Sequence, residues 1–157
     1  MRQRAQAIII RDQAMLFAYG MASSHNQLRH SFIGGRIEQG ETPEEAVLRE
    51  LMEEAQVKGE ILFRFNQEIA EGHHTFLIDI GNQSCKLGCD PEEMHLTMDE
   101  RNLKDLIWIS LLDKESFTEC DREYIARLIN ECKERDYYPE WLGSLQEIIE
   151  EVEGHAV

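Results

Sequence analysis

The stretch 34–57, GGRIEQGETPEEAVLRELMEEAQV, reads as a glycine-bearing loop that runs into one helix, and it places Glu50, Glu53 and Glu54 together late in that helix. Residues three and four apart are neighbours on a helix surface, so Glu50 faces both other glutamates, and each like-charged pair costs about 0.2–0.5 kcal/mol. The helix dipole adds to the cost, because carboxylates are favoured in the first turn and disfavoured in the last. A divalent cation would turn this liability into a site.

The start of the helix is well marked. Thr42 is a good N-cap, Glu45 stands three residues on and completes a capping box, and Pro43 occupies the first helical position, where its missing N–H costs nothing. Val47, Leu48, Leu51, Met52 and Ala55 recur at helical spacing as an apolar stripe and leave Arg49, Glu50, Glu53 and Glu54 on other faces. Ahead of the helix, Gly34, Gly35 and Gly40 make a permissive loop where backbone can approach a ligand closely.

These residues resemble the Nudix box: Gly35, Glu41, Arg49-Glu50, Leu51, Glu53-Glu54 and Val57 fall at the spacing of that motif. The chain departs from it at Gln56, where the family has glycine, and at Ile33, where the family often has proline. Glycine commonly supplies the left-handed residue that ends a helix, and a glutamine held there costs on the order of 1 kcal/mol. Either Gln56 bears that cost or the helix runs on toward Gly59.

The resemblance implies a Nudix-type α/β/α sandwich with a mixed sheet, over roughly residues 1–135. It implies hydrolysis of a nucleoside diphosphate linked to another group, with magnesium, or manganese in its place, as the cofactor. Oxygen ligands suit such hard cations, which neutralise phosphate charge and make bound water nucleophilic near neutral pH. Glu53 and Glu54 would be metal ligands, Glu50 a ligand or the general base, and the backbone of Gly35 a further oxygen ligand. Arg49 would orient the neighbouring Glu50, with Glu41 either bracing the loop or joining the site. A later acidic residue is often recruited in this family. Glu100 and Asp99 are the leading candidates, with Glu92 and Glu93 behind them. Phe32 and Arg36 stand as substrate contacts, and Tyr19 and Phe76 are further aromatic candidates for the base.

Composition bounds the alternatives. A chain of 157 residues, 42% hydrophobic and 30% charged, suits a single globular domain, with residues 136–157 as an acidic helical extension packed on it. A formal net charge of -15 argues against binding long nucleic acid, since no basic stripe is visible to displace counterions. Small anionic substrates would need a cation to mask the repulsion. The only N-terminal apolar run, Ala7 to Ile10, is far short of a membrane span or signal segment, so the expected setting is cytoplasmic. Cys85, Cys89, Cys120 and Cys132 lack the compact paired spacing of a structural zinc site and read as free thiols. The histidines His25, His30, His73 and His74 read as surface or edge residues.

The remaining segments read as one α/β unit. Gln6–Ile10 and Met15–Tyr19 suggest an antiparallel hairpin, followed by a loop through Ser23, Ser24, His25 and Asn26. Gln27–Ile33 suggests a short strand delivering the chain to Gly34. Further strands are expected at Glu60–Phe65, Thr75–Ile80 and Leu106–Leu111, the last with Trp108 as a core residue. Residues 81–97 read as irregular. Tyr124, Ile125, Leu128, Ile129 and Cys132 mark a second amphipathic helix, and Leu145, Ile148, Ile149 and Val152 a third. The third stripe would cover the domain's own core, a homodimer contact being its alternative use. Two other activities stay open at this level: a catalytically silent domain that binds nucleotide or protein, and isomerisation of an isoprenoid diphosphate. The first has no physical need for three repelling carboxylates. The second needs a cysteine or similar proton donor at the site, and Cys85 and Cys89 lie in the wrong kind of segment.

Overall fold

Ile9 and Phe32 are where the strands change sheets. The computed structural model describes residues 2–21 and 27–155, with side chains described as far as residue 150. Strands β1 (Arg4–Ile8) and β2 (Ile10–Arg11) form one extended run interrupted at Ile9, and β3 (Ala14–Met21) follows a tight turn. In that turn Asp12 and Gln13 both take positive φ, 52° and 59°, the handedness that matches the twist of the flanking strands. Strands β4 (Leu28–Ser31) and β5 (Ile33–Arg36) part in the same way at Phe32. Helix α1 (Pro43–Ala55), β6 (Glu60–Arg64), β7 (His73–Asp79), β8 (Leu103–Ser110), α2 (Glu119–Glu134) and α3 (Leu142–His155) complete the order.

The expected hairpin is therefore only a tip. Ile10 and Arg11 pair with Met15 and Ala14, whereas β1 leaves for another sheet, running antiparallel to β5 and parallel to β7. The single strand expected over 27–33 likewise divides, β4 pairing with β3 and β5 with β1. Alternation of side chains fixes which face a residue takes but not which strand it meets, so both switches are invisible to pattern. The loop through Ser23, Ser24, His25 and Asn26 lies outside the described residues, as does the side chain of Val152.

The first sheet has the order β5-β1-β7-β6. In the second, β3 carries β8 along one edge and shares the other between β2 and β4. Helix α1 covers one side of this layer, where Ala46, Val47, Leu51 and Ala55 pack with Ala5, Ala7, Leu16, Ile33, Phe76 and Ile78. Helices α2 and α3 cover the other, where Tyr124, Ile125, Leu128, Leu145 and Ile148 pack with Ile8, Phe17, Phe32 and Leu77. The result is an α/β/α sandwich built on mixed pairing.

Thr42 caps α1 as its sequence predicts: the N–H of Glu45 donates to Thr42 Oγ1 at 3.1 Å, and the N–H of Thr42 donates to Glu45 Oε1 at 3.0 Å. The apolar stripe shifts slightly. Ala46 joins the core, while Met52 is 42% exposed and stands outside it. Trp108 is partly buried against the α1-side cluster, with the Arg11 guanidinium 4.9 Å above its ring. The four cysteines are free. No helix among the described residues is long and apolar enough to cross a membrane.

Candidate active site

Helix α1 and strand β5 pack against each other and bring the glutamates to the glycine pair. Gly35 has no side chain to separate them: a Cβ there would lie 2.4 Å from Glu50 Oε1. Glu50 therefore rests directly on the β5 backbone, an approach open only to glycine. Next to it, Glu54 Oε2 accepts the N–H of Gly34 at 3.1 Å.

Arg49 organises the outer side of the cluster. Its Nε donates to Glu41 Oε2 at 2.7 Å and its Nη2 to Glu41 Oε1 at 3.0 Å, a two-pronged contact that suits the planar guanidinium. Nη1 reaches Glu50 Oε1 at 3.0 Å and Glu53 Oε2 at 3.2 Å. The Arg36 carbonyl accepts Nη2 at 3.0 Å, so Arg36 serves through its backbone while its side chain is exposed. Glu41 also accepts the Glu38 N–H at 3.0 Å, which makes it the brace between loop and helix. The Arg49 contact holds the Glu41 carboxyl below the ordinary range despite some burial.

The inner pair behaves in the opposite way. Burial pushes the Glu50 carboxyl up, and the charge of Glu53 adds to this against the pull of Arg49. Glu54 is raised well above the ordinary value, first by burial and then by the charge of Glu50, with Arg4 and the Gly34 N–H opposing. Both carboxyls thus stand above the ordinary carboxyl value. Two half-buried carboxyls beside bare glycine backbone form an all-oxygen donor set, and that chemistry fits a divalent cation. Glu53 is drawn to Arg49, and among the described residues no three acidic, imidazole or thiol side chains form a ready-made ligand group.

Several expected participants have local partners of their own. Glu100 closes a surface turn, its Oε1 accepting the Thr97 N–H at 3.0 Å and the Thr97 hydroxyl at 2.9 Å. Glu93 accepts the Asn102 N–H at 3.1 Å, and Asp90 caps the short turn at Pro91 through the N–H of Glu92 at 2.9 Å. These acids serve the nearest free backbone N–H groups, which a local turn supplies more cheaply than a distant helix. Phe32 is 6% exposed, and its ring packs 5.2 Å from both Phe17 and Tyr124, so it offers no open face to a base. Phe76 is fully buried as well. His30 and His74 prove to be inward residues: His30 Nε2 lies 2.7 Å from the buried Asp121, and His74 Nε2 2.9 Å from Gln3 Oε1. Arg4 is a nearby charge that sequence reading missed: its guanidinium donates to the Phe32 carbonyl at 3.4 Å and opposes the rise at Glu54, a placement that follows from the pairing of β1 with β5 and that no local motif announces.

Fold and cluster together define a class, an α/β/α hydrolase whose acids are presented by a loop and helix. The NUDIX domain family matches residues 1–128, and the chain belongs to the Nudix family of hydrolases. Members of this family generally use divalent metals. Similar solved structures include a NUDIX hydrolase from Nitrosomonas europaea, with a TM-score of 0.61 and 15% identity over 88% of this chain and 93% of that one. An ADP compounds hydrolase has a TM-score of 0.57 and 18% identity, covering 85% of this chain and 74% of that one. An Ap4A hydrolase from C. elegans has a TM-score of 0.50 and 16% identity, covering 97% and 99%. At these identities the likeness is one of fold. No curated protein matches the chain.

Proposed function

We propose that this hydrolase is a magnesium-dependent pyrophosphohydrolase that cleaves the diphosphate bond of a nucleoside diphosphate linked to a second group. The observation that carries the reading is the set of half-buried Glu50 and Glu54 carboxyls held directly against the Gly34-Gly35 backbone, with Glu53 on the same helix. Glu50, Glu53 and Glu54, with an oxygen from Gly35, would hold the metal. When bound, magnesium supplies charge neutralisation at the diphosphate and acidifies a water. In the reaction, water oxygen would form a bond to one phosphorus, the bridging oxygen would leave with the other phosphate, and the water's proton would pass to a carboxylate, for which Glu50 is the candidate. Arg49 keeps Glu50 oriented while Glu41 fixes Arg49. A chain of net charge -15 repels a free diphosphate, so substrate binding through a cation is also the electrostatically consistent route. The similar structures named for ADP compounds and Ap4A support a nucleotide substrate.

The test is a panel of nucleotide sugars, dinucleoside polyphosphates, nucleoside triphosphates and capped ends, scored by product identity in magnesium. Glu53→Gln removes a charged ligand without changing volume. It is expected to lower kcat on the best substrate by roughly 10–100-fold or more, with melting temperature preserved. Wild-type turnover in that variant would reject the assignment, and a panel without hydrolysis would favour a domain that binds nucleotide or protein without turnover.

A further inference from the structure

Helix α1 ends at Ala55, and of the two sequence expectations the costly one holds: Gln56 is left-handed, with φ 55° and ψ 39°. Its N–H donates to Met52 O at 3.1 Å, which leaves the carbonyls of Glu53, Glu54 and Ala55 beyond the reach of the helix's own donors. A second segment takes all three. Cys89 N–H donates to Glu53 O at 3.0 Å, Gly88 N–H to Glu54 O at 2.8 Å and Lys86 N–H to Ala55 O at 3.0 Å. Residues 83–89 thus lie as a strap across the end of the helix that carries the glutamates. Gly88 is a requirement of this approach, since a Cβ there would stand 1.8 Å from Glu53 O.

The strap is stitched at two places. Gln83 fastens one end, accepting the Lys58 N–H at 3.0 Å and donating to Ile80 O at 2.8 Å. Gln56 fastens the other, its Nε2 donating to Leu87 O at 3.0 Å. Glycine at position 56 would adopt the same backbone without strain and could make no such bond. The glutamine therefore does something its backbone conformation alone would not select.

We propose that Gln56 is a positioning residue: by tethering the strap 83–89 to the end of α1, it fixes the backbone of Glu53 and Glu54 and so their presentation to a divalent cation. This inference rests on the metal-binding reading above. It differs from a purely structural cap in what it predicts for the glycine variant.

The experiment compares wild type, Q56G and Q56N, each metal-free and titrated with magnesium alone. Glycine removes the strain, and asparagine tolerates the left-handed backbone but is one methylene too short to reach Leu87 O, so both variants are expected to fold. Q56G should keep or raise the metal-free melting temperature. Both variants should lose hydrogen-exchange protection at the amides of Lys86, Gly88 and Cys89. Both should need roughly tenfold more magnesium for half-maximal thermal stabilisation, the scale of effect seen when outer support of a metal site is lost. Wild-type magnesium response in both variants, or unchanged exchange at the strap, overturns the tether. A wild-type protein whose melting temperature ignores magnesium overturns the metal reading and this inference together, so the two failures are distinct.

Discussion

At the scale of single residues, Glu50 and Glu54 are in conflict with their surroundings. Helix α1 fixes their spacing, β5 takes away part of their water, and a charge on either is resisted by its neighbours. A folded chain that holds protons the unfolded chain has released is stabilised at low pH and loses that stability as pH rises. Both groups are raised from the ordinary carboxyl value of 4.5, so their contribution is complete below about that pH and is lost as pH climbs through the raised folded values. In chelator, the melting temperature should therefore fall as pH rises above 4.5, and Glu54→Gln should flatten this slope. Magnesium should flatten it too, since a bound cation favours the ionised pair. Melts of the two proteins across pH, with and without magnesium, check both statements. A wild-type slope unchanged in Glu54→Gln would mean that the conflict lies elsewhere.

At the scale of elements, the helices repeat one device with different contents. Helix α2 begins with the same capping box as α1, the Asp121 N–H donating to Thr118 Oγ1 at 3.0 Å and the Thr118 N–H to Asp121 Oδ2 at 2.9 Å. Its buried acid is fully partnered, however. Glu131 accepts the Asn66 N–H at 3.0 Å, Arg135 Nη1 at 2.8 Å and Arg127 Nε at 2.6 Å, binding the end of α2 to the turn after β6. Burial pushes this carboxyl up, but those three donors outweigh it and leave it below the ordinary value. The sign is thus opposite to that of Glu54: the stabilisation is present above the ordinary carboxyl pH and is lost as pH falls through the lowered folded value. Glu131→Ala should cost on the order of 3 kcal/mol at neutral pH and less in acid, as measured by urea unfolding at both pH values. An equal cost at both would contradict the pairing. Contrasted in this way, the acid of α2 is fully partnered within the fold, whereas those of α1 are the ones proposed above for the metal.

The same contrast explains what was legible. The α1 cap, the glycine pair and the fixed offsets of Arg49, Glu50, Glu53 and Glu54 are local, and local hydrogen bonding makes them readable from spacing alone. Arg4, the strap 83–89 and the inward turn of Phe32 depend on which strands pair, which adjacent residues do not encode. Glu100 was a choice among acids in a chain rich in them, and a surface turn claimed it.

For the whole molecule, helix α3 shows how far the core extends. It lies beyond the residues 1–128 that match the family, yet Trp141, Leu142, Leu145 and Ile148 belong to the same buried cluster as β3 and α2. We infer that this segment is structurally part of the domain. Leu145 is fully buried, so Leu145→Ala should destabilise by about 2–5 kcal/mol. The folded fraction should keep the wild-type magnesium response, as melting curves and magnesium titration together can show. A cost below about 0.5 kcal/mol, the range of surface substitutions, would place the helix outside the core.

The sequence by itself determined helix α1, its start, its charged face and the family, because these follow from residues within one or two helical turns of each other. Only the tertiary structure decided that Glu54 meets Gly34, that Glu53 and Glu54 are held from behind by a strap, and that Gln56 takes a left-handed backbone. Those outcomes depend on contacts up to about seventy residues apart, such as the pairing of Arg4 with His73. Their physical source is burial. Removing water from the pair raises the cost of charge there, and that cost exists only after distant strands have closed around it.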